Sequence, residues 1–178
     1  MSWRILYILT LTVNYSFAQT ENNTSNIYPV FNLDELASFE PGKNINDIPK
    51  KYGIGSDIKI EKALEVKKYE LQHDAYLFPL WVQYFNGKII DFYTRLPSYF
   101  LHDTFHQSLI NRYGQQNSYA QKDSTALYTW ENEQMKRVYS GGCTITCYPI
   151  YYSSMTKVTG KIPSTYRPLL ELFYTKNY

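Results

Sequence analysis

The chain has 178 residues, with 18 basic and 16 acidic side chains and a formal net charge of +2. That length bounds it to one domain, or to two small halves sharing a core. Its Lys and Arg residues are spread along the chain. A near-neutral, unclustered charge argues against a nucleic-acid partner, whose hold on a protein comes largely from phosphate neutralisation.

The N-terminus predicts export. Arg4 supplies a positive charge, Ile5 to Phe17 is mostly apolar, and Ser16 and Ala18 are small residues at the −3 and −1 positions of a cleavage site before Gln19. The apolar run is too short for a spanning helix, which needs about 20 apolar residues. No Cys stands at the cleavage point, so the pattern is not a lipoprotein signal. Residues 1–18 are therefore expected to be a signal peptide, and the protein to be secreted or periplasmic. Residues 19–30 are expected to be a flexible lead-in. They include Asn22-Asn23-Thr24-Ser25, whose overlapping N-x-[ST] sites matter only in a eukaryotic host. Residues 31–178 should form a single α+β domain.

Along that domain, Asn32 is placed to cap a short helix over 33–39, which Pro41-Gly42 breaks. A second short helix over 45–52 stops at Gly53, with Pro49 in its first turn or kinking it. Residues 61–72 have helical composition, but Leu64/Val66 and Tyr69/Leu71 alternate as in a strand, and we read them as strand. Next come strands over 76–85 and 88–94 around Asn86-Gly87, the strongest short hairpin signal. A two-residue loop sets Trp81 opposite Phe92 and Tyr84 opposite Ile89. Leu101, Phe105, Leu109 and Tyr113 recur every four residues and predict a helix over 99–113, ended by Gly114. Strands over 125–131, 135–140 and 143–151 follow, with a last short helix around Leu169–Phe173 in a C-terminal tail, 154–178. The helix–Tyr-Gly stops at 53 and 114 suggest units 31–96 and 97–153. The expected fold is thus α+β, with two tandem helix-plus-three-stranded-meander units forming a helix-backed antiparallel sheet. Its 19 tyrosines suit such a sheet.

The cysteines, Cys143 and Cys147, fall in the last predicted strand. Residues four apart in a strand are about 13 Å apart, whereas a disulfide needs Cα atoms within about 7 Å. Extended geometry favours two small buried side chains. A bulged segment permits an internal disulfide, and an intermolecular bridge or a metal site are further alternatives, although two cysteines alone do not build a four-ligand zinc site.

The segment Phe39-Glu40-Pro41-Gly42-Lys43-Asn44-Ile45-Asn46-Asp47-Ile48-Pro49-Lys50-Lys51-Tyr52-Gly53 resembles the opening of units in the β-lactamase inhibitor protein and the SmpA/BamE envelope proteins. His106-Gln107-Ser108-Leu109-Ile110-Asn111-Arg112-Tyr113-Gly114 is similar to the second half of that pattern. It departs from the family at Pro49, in its cysteine spacing and in lacking a lipidated Cys. The resemblance implies a fold and a habit: non-catalytic exported proteins that present a sheet surface to another protein. It carries over no binding residues.

Three function classes follow. The first is an exported, non-catalytic protein-binding module, with Tyr139, Thr144, Thr146 and Tyr148 as surface candidates and another envelope or secreted protein as partner. Carbohydrate is the competing ligand, because aromatic surfaces also stack sugars. The second is a zinc-binding protein or metal-dependent hydrolase. His102-Asp103-Thr104-Phe105-His106 puts two imidazoles on one helix face, and His73 is the third candidate ligand. The third is a structural component that self-associates through a sheet edge. No cofactor is expected under the first reading, and no other catalytic motif is present.

Overall fold

The structure, a computed structural model, describes residues 31–73, 76–96, 102–122, 125–141, 150–157 and 162–174. The expected signal peptide, its cleavage point at Ala18/Gln19, the lead-in, both cysteines, Thr144, Thr146 and Tyr148 lie outside the described residues.

The described residues fold as one antiparallel sheet of eight strands with a few short helices. The strands are β1 (Ser56–Ile58), β2 (Glu65–His73), β3 (Tyr76–Phe85), β4 (Lys88–Leu96), β5 (Ser118–Lys122), β6 (Thr125–Glu131), β7 (Met135–Ser140) and β8 (Ile150–Thr156). Their order across the sheet is β1-β2-β3-β4-β8-β7-β6-β5. Two four-stranded meanders therefore meet at the β4–β8 pair. The helices are α1 (Asp34–Ala37), α2 (His102–Tyr113) and α3 (Leu169–Tyr174). None among the described residues is long and apolar enough to cross a membrane.

This corrects the expected pair of helix-plus-three-stranded units. Each meander has four strands, because β1 and β5 join the edges. Among the described residues the first meander also has no counterpart of α2. Asn32 Oδ1 accepts from Asp34 N at 2.9 Å, but the cap position of α1 is Leu33, which makes no side-chain cap bond, and α1 is only four residues long. The predicted second helix is two 3-10 turns, Ile45–Asp47 and Lys50–Tyr52. Between them Ile48 is extended (ψ 128°), since the ring of Pro49 disfavours a helical residue before it.

The hairpin turn forms as the sequence predicts, with positive φ at Asn86 (49°) and Gly87 (74°). Tyr84 pairs with Ile89, but a bulge shifts the register by one residue beyond it, so Trp81 faces Tyr93 and Val82 faces Phe92. The slip puts Val82 and Phe92 in one core and Trp81 and Tyr93 in the other.

The front face of the sheet carries the larger core. Phe31, Leu36 and Phe39 from the N-terminal segment and Phe105 and Leu109 from α2 pack on Leu71, Leu80, Phe92, Tyr139 and Tyr152. Each fully buried side chain of this kind contributes about 1.5–3 kcal/mol relative to exposure. The back face is covered by a C-terminal strap, residues 162–174, around Leu169, with Val66, Tyr93, Val138 and Tyr151 beneath. Because β4 lies mid-sheet and β5 at the edge, the connection between them carries α2 across the front of the second meander.

Candidate functional site

That crossing decides the fate of Tyr139. Its ring lies under α2, 5.2 Å from Phe105, with 0% of the residue exposed. Burial pushes its phenol well above the ordinary value. Tyr139 is therefore a core residue and not a surface candidate, because its sheet face points into the core and not to solvent. β7 is an inner strand covered on both faces, with Val138 and Tyr139 both buried.

The histidines also sit among aromatic rings. His73 ends β2 and lies 4.1 Å from the ring of Phe31. His106 lies on α2, 4.1 Å from Tyr128 and 5.9 Å from Tyr139. His102 opens α2, and its side chain falls outside the described residues. Among the described residues no three His, Cys, Asp or Glu side chains gather to hold a metal.

The sequence reading missed the arrangement that reaches solvent. On the front face, Tyr119 of β5 pairs with Tyr128 of β6, Tyr128 with Tyr139 of β7, and Tyr139 with Tyr152 of β8. The four rings form a ladder perpendicular to the strands. Ring centroids are 5.2 Å apart for Tyr119–Tyr128 and 6.0 Å for Tyr128–Tyr139, within the range where aromatic pairs attract. The inner two rings, Tyr152 and Tyr139, are buried, Tyr128 is half-buried, and Tyr119 is 53% exposed. The outer end is held by Tyr119 Oη donating to Gln121 Oε1 at 3.1 Å. β5 is the last strand on that side among the described residues, and Ser118–Gln121 are exposed. It is only five residues long, a feature that blunts an edge against indiscriminate pairing. The signal that could have found the ladder was the recurrence of tyrosine at 119, 128 and 139 in three successive strand segments.

Two buried polar centres brace the two faces. On the front, Glu40 Oε2 accepts from Arg137 Nη2 at 3.2 Å and Ser154 Oγ at 3.0 Å, and its Oε1 accepts from Tyr113 Oη at 3.0 Å. The Arg137 guanidinium also sits 4.2 Å from the centre of the Tyr113 ring. Burial alone would lower the Arg137 pKa, but the charge of Glu40 raises it overall. On the back, Asp91 of β4 is fully buried and bonds to the strap.

Compared with protein-family models, with curated proteins and with solved structures, the chain matches none.

Proposed function

We propose that the protein is an exported, non-catalytic binding module of the bacterial envelope or secreted space, which takes an extended segment of another protein along β5. The observation that carries this reading is the tyrosine ladder, which runs from the core to an exposed ring on an edge strand. Strand addition uses main-chain hydrogen bonds for affinity and side chains in register for specificity. A partner strand laid antiparallel on β5 would set one of its side chains opposite Tyr119, and an aromatic or β-branched residue there continues the ladder. Export rests on residues 1–18, and the resemblance of residues 39–53 to the inhibitor and SmpA/BamE proteins agrees with the habit. The burial of Tyr139 moves the proposed surface from the middle of the sheet to its edge.

The test is a paired capture from envelope extract of the host, with the native protein and a Tyr119→Lys variant as baits. A lysine on the edge replaces the ring with a solvated charge. The expected result is a partner retained by the native bait and reduced by about tenfold, roughly 1.4 kcal/mol, on the variant, with far-ultraviolet circular dichroism unchanged. Equal capture by both baits would remove β5 as the site. A folded native bait that captures nothing would remove the module reading itself.

A further inference from the structure

The strap over the back face packs on it through Leu169, Leu170, Leu172 and Phe173. Leu169 is fully buried, and Phe173 stacks on Tyr93 at 4.7 Å and lies 4.9 Å from Trp81. Two buried polar residues of the sheet anchor its backbone. The Gln83 amide lies 3.1 Å from Arg167 O and 2.9 Å from Leu64 N, and satisfies both with its nitrogen towards Arg167. Asp91 Oδ2 accepts from Leu169 N at 3.0 Å and from Tyr166 Oη at 2.9 Å.

Asp91 is a carboxyl sealed beneath the strap, 0% exposed. Its cross-strand neighbours, Gln83 on β3 and Met155 on β8, are uncharged. The strap presents the Tyr166 hydroxyl and, further along α3, the acidic Glu171. Arg95, on the same strand, donates to Tyr93 Oη at 3.2 Å, and Arg167 donates to Tyr166 O at 3.0 Å. Among the described residues no cation pairs with Asp91.

We propose that Asp91 is a proton-controlled latch: protonated, it holds the strap on the sheet, and ionised, it loosens the strap from Trp81 and Tyr93. Two donors from the strap converge on one carboxyl oxygen, so the strap cannot leave without exposing that carboxyl to water. Burial pushes the Asp91 pKa up from 3.8 to about 7, against the opposing effect of the Leu169 and Tyr166 donors. An opened strap returns the group towards its ordinary value. The docked state then holds the extra proton between the two values. Its stabilisation is complete below about pH 4 and is lost as pH rises to about 7, where the effect levels off. Within that window the opening equilibrium rises about tenfold per pH unit.

Amide hydrogen exchange of residues 162–174, near pH 5 and near pH 7.5, tests the latch on the native protein and Asp91→Asn. Asparagine keeps the acceptor and stays neutral, and the ratio between the two proteins cancels the intrinsic pH dependence of exchange. The expected result is a strap that opens, relative to the variant, on the order of 10- to 100-fold more at the higher pH, while β3 and β4 stay protected. A ratio that does not change with pH, or strap and sheet losing protection together, would overturn it. Should Asp91→Asn fail to fold, carbon-13 titration of the native Asp91 carboxyl decides. A midpoint near 7 that coincides with strap movement supports the latch, and a midpoint near 4 contradicts it.

Discussion

Gly55 shows how one residue sets the approach of the chain to the first meander. Its φ is +69°, and a Cβ built there would stand 2.7 Å from Cζ of Tyr69, a ring only 3% exposed. Gly114, which ends α2 at φ +80°, has nothing within 4 Å of such a Cβ. Alanine at Gly114 therefore carries only the backbone penalty, about 1 kcal/mol, whereas alanine at Gly55 adds displacement of a packed ring, for about 2 kcal/mol in all. Urea unfolding of the two variants checks the order; equal losses would mean that Tyr69 yields freely. Neither the Gly55–Tyr69 contact nor the burial of Asp91 was legible in the sequence. Both depend on which segments cross the sheet, and neither has a local pattern.

At the scale of elements, periodicity carried most of the information. β6 and β7 have the predicted bounds, the Asn86-Gly87 turn forms, and α2 buries Phe105 and Leu109 as their spacing requires. The losses have separate causes. β1 and β5 are short, polar edge strands with exposed side chains, so they lack the apolar alternation that betrays a strand. The bulge that moves Trp81 onto Tyr93 adds a residue, Ile90, where a two-residue turn predicts uninterrupted pairing. Missing β5 meant missing the outer end of the tyrosine ladder, and with it the candidate site.

At the scale of the molecule, Glu40 joins parts far apart in the chain. Its partners Tyr113, Arg137 and Ser154 are 73, 97 and 114 residues away. Glu40 follows α1, and the others belong to α2, β7 and β8, so one carboxylate ties the N-terminal segment to the second meander. The side chains of Glu40 and Arg137 are 12% and 9% exposed. Removing one partner of such a pair leaves a buried charge uncompensated, at a cost of about 3–5 kcal/mol. Glu40→Ala is expected to lose about that much in urea unfolding, and much less when Arg137→Met is already present. Additive losses would show that the pair does not act as a unit.

The binding site itself is tested most directly by placing a photo-crosslinking phenylalanine analogue at Tyr119 and, separately, at Ile54 in the host cell. Both side chains are open to solvent, at 53% and 88% exposure, but only Tyr119 ends the ladder. A discrete adduct with another protein from position 119, and none from position 54, is the predicted result. No adduct from position 119, or the same adducts from both positions, would contradict a partner on β5.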